Sequence, residues 1–196
     1  FPYTTLFRSE LCTKEELQFL IGCECGRLQN NHVAFDFAFT YLNYNKDCYK
    51  PKERSCKQPV SNQLVHTLAQ WVWFADITAD RAGIICLDEP KYYAKLLCDL
   101  YEKGYTDFFG RRDEKMGFEE LFDIYERIRD EKEPRRLAVG AELFPLRKRV
   151  LAGMDFLECV TLYNWRMDIK RPNYQLRSQQ MCDIRCNIIL GSGREV

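Results

Sequence analysis

The sequence predicts a mainly α-helical protein with a single domain. Two observations lead to this prediction. Apolar residues recur at intervals of three and four along most of the chain, and no segment shows the strict alternation typical of a half-buried strand. In addition, 46% of the 196 residues are hydrophobic and 14% are aromatic, which excludes a disordered chain and allows one substantial core.

The first helix is predicted over residues 13–30. Thr13 followed by Glu16 forms a capping-box pattern, and apolar residues then recur at helical spacing. Gly22 and Gly26 lie one turn apart within this segment. Glycine lowers helix propensity, so this pair indicates that a neighbouring element approaches closely.

The remaining elements follow the same periodicity. An aromatic-rich helix is predicted over 32–44 and a polar loop over 45–58. A long buried helix is predicted over 61–87, ending before Pro90. The charged stretch 104–136 is interpreted as a solvated surface insertion that contains one helix. The other predicted helices span 90–103, 118–129, 145–167 and 176–190.

Composition limits the classes of partner and the compartment. The 29 basic and 29 acidic residues give zero formal net charge, so no nucleic-acid partner is expected. No apolar run reaches the roughly 18 residues that a membrane-spanning helix needs. The ten cysteines, among them Cys86 and Cys98, show no loop-closing regularity. They are interpreted as reduced, mostly buried thiols of a cytoplasmic protein, with a secreted disulfide protein as the alternative.

The first nine residues, FPYTTLFRS, look like a translated sequencing adapter and are excluded from the fold prediction. The domain is then expected to cover residues 10–190, truncated at its amino end. A targeting signal or membrane anchor could have preceded it, so membrane association of the full-length protein stays open.

Two segments carry the pattern of a metal site. The first is LIGCECGRLQNNHV at 20–33, and the second is WFADITADRAG at 73–83. A helix with the pattern HExxH places two imidazoles on one face, with a glutamate beside them as general base. Histidine at positions 23 and 27 and glutamate at position 76 would turn these segments into a zinc-peptidase site.

With these segments, the lead-in TKEELQFLIG and the stretch PLRKRVLAGMDF at 145–156, the chain resembles the M-forty-eight family of zinc metallopeptidases. This family includes the CAAX prenyl endopeptidases and the heat-shock membrane protease. The resemblance covers about residues 10–160 and implies the helical core of a gluzincin-type peptidase domain. It also implies that the full-length relative is α+β, with an edge strand before the active-site helix, and that extended polypeptide is the partner.

The resemblance places the family's metal-ligand positions at Cys23, Arg27 and Asp76, its general base at Glu24 and its supporting aspartate at Asp80. A catalytic zinc needs three protein ligands and an open position for water. Arginine cannot ligate, because its guanidinium has only donors. Asp76 is one methylene shorter than the glutamate it replaces. The chain is therefore expected to be a pseudopeptidase without a cofactor, which grips polypeptide without cutting it.

Arg27 suggests what replaces the ion. Without a metal, Glu24, Asp76 and Asp80 would form a costly group of carboxylates in a partly buried cleft. Our hypothesis is that Arg27 bridges to Asp76 or Asp80 and joins the two helices. The alternative is that its guanidinium extends to solvent.

Two other functions remain open. One is an active zinc endopeptidase with Cys23 and Asp76 as ligands and a third ligand from His32 or His66. A histidine within an apolar helix, such as His66, is more often a core residue than a ligand. The other is a helical interaction module.

Overall fold

The computed structural model describes residues 12–34, 37–38, 62–103, 118–130 and 145–190. These ranges are mainly α-helical, as predicted, and contain no β-strand; one isolated parallel bridge joins Cys159 and Arg177. A short 3-10 helix spans Pro90–Tyr92. The α-helices are α1 (Lys14–Gln29), α2 (Asn62–Cys86), α3 (Tyr93–Glu102), α4 (Phe118–Arg129), α5 (Pro145–Leu157), α6 (Val160–Trp165) and α7 (Gln179–Leu190).

The helices predicted over 13–30, 61–87, 90–103 and 118–129 are confirmed to within the usual uncertainty of helix ends. Part of the helix predicted over 32–44 is also present, at residues 32–34 and 37–38. Its remainder and the loop predicted over 45–58 lie outside the described residues. The same holds for the adapter-like residues 1–9 and for most of the charged stretch 104–136.

The single helix predicted over 145–167 is wrong. Helix α5 ends at Leu157 and α6 begins at Val160, so the chain breaks at Glu158 and Cys159. Backbone hydrogen bonds to a distant segment cause this break. The amide of Arg177 donates to the carbonyl of Glu158 at 2.8 Å, and the amide of Val160 donates to the carbonyl of Arg177 at 2.9 Å. This pairing with a distant extended segment replaces helical hydrogen bonds, and α7 accordingly begins at 179 rather than 176.

The first turn of α1 is fixed by the predicted capping box. The hydroxyl of Thr13 accepts from the Glu16 amide at 3.2 Å, and the Glu16 carboxylate accepts from the Thr13 amide at 2.8 Å. Lys103, just after α3, places its ammonium 2.7 Å from the buried Glu16 carboxylate. The start of α1 is therefore held both locally and by the end of α3.

Helices α1 and α2 run antiparallel and cross at small residues. A Cβ on Gly22 would lie 2.9 Å from the Cα of Gly83, and one on Gly26 would lie 2.7 Å from the Cβ of Ala82. The close approach predicted from Gly22 and Gly26 is confirmed. The same crossing brings the last turn of α1 beside the middle of α2, where the candidate site lies.

Helix α5 lies at the centre of the described part of the fold, in contact with α2, α3, α4 and α7. Its Val150 and Leu151 are fully buried. Helix α4 buries Leu121, Tyr125 and Ile128 in the same core, so this portion of the charged stretch packs one face inward. Among the helices described here, none combines the length and apolar character needed to cross a bilayer.

Candidate functional site

An ion pair joins α1 and α2 at Arg27 and Asp76, two of the positions that the resemblance assigns to metal ligands. The Nη2 of Arg27 donates to the Oδ1 of Asp76 at 2.5 Å, and the two side chains are 17% and 18% exposed. Burial alone would lower the pKa of Arg27, but attraction to Asp76 and the hydrogen bond to it outweigh burial and raise this pKa. The guanidinium thus stays charged and points between the helices rather than into solvent.

Glu24, at the family's general-base position, lies at the edge of this pair. Its side chain is 68% exposed, and its Oε1 is 3.7 Å from the Nε of Arg27. This distance exceeds that of a hydrogen bond. The carboxylate is consequently a solvated neighbour of Arg27.

Cys23 lies in the core, one turn before Arg27. The residue is 6% exposed, and a Cβ on Gly83 would lie 2.7 Å from its Sγ. Burial raises the pKa of the Cys23 thiol well above its usual value, and the charge of Asp80 adds to the effect. In the environment described here the Cys23 thiol therefore stays protonated at neutral pH.

Asp80 makes a second and more deeply buried ion pair, with Arg149 of α5. The Nε of Arg149 donates to the Oδ2 of Asp80 at 2.6 Å, and its Nη2 donates to Oδ1. The Tyr93 hydroxyl lies 3.3 Å from the same Oδ2 and 3.0 Å from the Arg149 carbonyl. Burial raises the pKa of Asp80 against the opposing effect of Arg149. This pair ties α2 to α3 and α5.

Sequence reasoning did not assign roles to Arg149 and Tyr93. Arg149 lies four residues after Pro145, in the stretch that resembles the family's Pro-x-x-x-Arg region. That pattern was the available signal for Arg149. Nothing local in the sequence singles out Tyr93.

Glu24 and Asp76 share Arg27 as an ion-pair partner, although Glu24 is mostly exposed to solvent, and Asp80 pairs with Arg149. Asp80 is nevertheless close enough to Asp76 and Arg27 for their charges to act on its pKa. Within the described ranges, no three His, Cys, Asp or Glu side chains are placed to hold a metal ion.

The two histidines considered as extra ligands are described to different extents. His32 is 6% exposed, beyond the end of α1. His66 belongs to α2, but its side chain lies outside what the structure describes. Tested on donor chemistry, the site does not fit a catalytic zinc: the Arg27 position carries a guanidinium, which cannot ligate, and Asp76 is already paired with it.

Comparison with known proteins finds no match: no protein-family model, no curated protein and no solved structure. The likeness to zinc metallopeptidases therefore depends on the residues quoted above.

Proposed function

We propose that this chain is a metallopeptidase-like protein without hydrolytic activity, in which an ion pair takes the structural place of the metal. The supporting observation is the contact of 2.5 Å between Arg27 and Asp76, which joins the two helices at the family's ligand positions. A guanidinium and a divalent cation both neutralise a carboxylate in a partly buried space.

This arrangement of side chains does not supply the metal ligands that zinc-dependent hydrolysis requires. A zinc peptidase works by lowering the pKa of a water bound to the ion, which a general base then deprotonates. Arg27 is positively charged and pairs with Asp76, the carboxylate that a metal ion would need as a ligand. Glu24 keeps the type of side chain required for a general base, but the residues around it offer no metal-bound water to act on.

The test combines metal analysis with a peptidase assay. The purified protein, incubated with zinc and then desalted, should retain no stoichiometric metal and should not cleave a quenched fluorescent peptide. The matched control is the triple variant Cys23→His, Arg27→His and Asp76→Glu, which restores three ligands and should retain zinc. Zinc retained at one ion per unaltered chain and lost on Cys23→Ala, with cleavage that a chelator abolishes, would instead establish the active endopeptidase.

Binding of extended polypeptide without cleavage stays a prediction of the resemblance. Fluorescence anisotropy of a labelled unfolded peptide distinguishes it from a helical module without a peptide site. Saturable binding that zinc does not change would support the pseudopeptidase. The absence of any binding, with the fold intact by circular dichroism, would favour the helical module.

A further inference from the structure

A cavity of about 400 Å³ lies on the side of the molecule formed by α4, α6, the end of α5 and the 3-10 helix. Its walls are mostly apolar or aromatic and include Phe122, Tyr125, Leu162, Ile169 and Tyr174. Ligand pockets in proteins typically begin at about 300 Å³, so this volume suits a small molecule. None of the residues in the Arg27–Asp76 pair lines it.

Its apolar wall is partly open to solvent. Phe122 and Tyr174 are 42% and 47% exposed at the cavity, whereas Leu162 is 1% exposed. The hydroxyl of the buried Tyr125 donates to the Met154 carbonyl at 3.2 Å, so this donor is already used. The cavity thus offers aromatic and aliphatic surface to a ligand, with few free donors inside.

The carboxylates that line the cavity are already neutralised. Asp88 lies 2.9 Å from the Lys14 ammonium, and Glu89 lies 2.8 Å from that of Lys91. Glu158 has two cationic partners, Arg129 at 2.8 Å and Arg177 at 2.6 Å. A cationic ligand would have to compete with these existing pairs.

Lys170 is different. It lines the same cavity, and in the ranges that the structure covers its ammonium has neither an ion pair nor a hydrogen bond. One uncompensated positive charge therefore stands beside an open apolar wall. A ligand that satisfies both features has an apolar body and a single negative charge.

We propose that this cavity binds a small apolar carboxylate of the arylalkanoate type. The aromatic body lies among Tyr125, Leu162 and Ile169, where its burial removes apolar surface from water. The carboxylate meets the ammonium of Lys170, which can donate charge-assisted hydrogen bonds to it. The site is separate from the helix crossing and does not depend on the function proposed above.

Isothermal titration with 3-phenylpropionate, and with its uncharged analogue 3-phenylpropanamide, tests the proposal on the unaltered chain. The acid should bind saturably and about five- to tenfold more tightly than the amide, because only the acid pairs with Lys170. Lys170→Gln should reduce the affinity for the acid to that of the amide. Lys95→Gln, at an exposed lysine of α3 away from the cavity, is the matched control and should change neither affinity.

A second variant tests the location. Ile169→Trp introduces a larger side chain into the apolar wall and should weaken binding of both compounds while the helical circular dichroism persists. Equal affinities for acid and amide, an unchanged preference in Lys170→Gln, or no saturable binding of either compound would each overturn the proposal. Because Lys170 is exposed, its variant decides the matter even if Ile169→Trp does not fold.

Discussion

Arg27 and Asp76 share a partly buried space between α1 and α2, where the two opposite charges attract each other. An ion pair of this kind repays the desolvation of both groups, but removing one partner leaves the other charge uncompensated. Among the described residues, Arg27 is the cation that contacts Asp76 directly, and Arg149 acts on it from a greater distance. The pair should therefore contribute measurably to the stability of the helix crossing.

Arg27→Ala is expected to lower the free energy of unfolding by about 2–3 kcal/mol, less than for a fully buried pair because both side chains keep some exposure. Urea denaturation at neutral pH measures this loss. Adding Asp76→Asn to Arg27→Ala should recover part of it, because the orphaned charge is then gone. Lys14→Ala, which removes an exposed pair with Asp88, is the control and should change stability little. Unchanged stability of Arg27→Ala would contradict the bridging role.

The sequence limits the partner of Arg27 to Asp76 or Asp80 but does not decide between them. Asp76 and Asp80 are one turn apart on α2, so spacing alone leaves both within reach of the facing helix. The structure shows what decides between them. Arg149, from a helix distant in sequence, holds Asp80 through two hydrogen bonds, which leaves Asp76 for Arg27. Asp80 and Arg149 are so far apart in sequence that no local pattern predicts their pairing.

At the scale of helices, the crossing of α3 and α5 depends on the absence of a side chain at Gly153. A Cβ there would lie 2.0 Å from the Cε1 atom of the Tyr93 ring. Tyr93 is fully buried, and its hydroxyl contacts Asp80, so the ring cannot move away without disturbing that ion pair. Packing and electrostatics are coupled at this crossing.

Gly153→Ala is expected to destabilise the protein by about 2–4 kcal/mol, because overpacking outweighs the gain in helix propensity. Thermal and urea denaturation both measure the change. In a Tyr93→Leu background, where the ring is gone, the same substitution should cost much less, and this non-additivity separates a steric cause from a general loss of structure. An equal cost in the two backgrounds would refute the steric explanation.

Periodicity predicted the helices well where a helix is ended by local signals, such as the capping box of Thr13 or the proline after α2. It failed at Glu158 and Cys159. There the chain leaves the helix to pair with Arg177, a residue that is remote in sequence. Cys86 also differs from expectation: it lies in an apolar pattern but is exposed, whereas Cys98 is buried as predicted.

At the scale of the whole molecule, the described part of the chain buries several charges and several thiols. Arg185 and Asp155 form a second buried pair, at 2.6 Å, that ties α7 to α5. Burial raises the pKa of Cys98 to about 11 and that of Cys186 to about 11. The folded chain therefore keeps these thiols protonated at a pH where the unfolded chain begins to lose the protons.

Stability should consequently fall at alkaline pH. A group whose pKa is higher in the folded state stabilises fully below its unfolded pKa, near 9, and this stabilisation is lost as pH rises towards about 11. Urea denaturation at intervals from pH 8 to 11, with reductant present, measures the decline. Cys98→Ala should make the decline shallower, whereas Cys25→Ala, at an exposed thiol, should not. Identical slopes in all three proteins would rule out this thiol as a cause.

The ion pair between α1 and α2 consists of two groups that the polypeptide itself carries, Arg27 and Asp76. It forms as the chain folds, because both partners belong to helices that pack against each other. Treatment with a strong sequestering agent should therefore leave this contact intact.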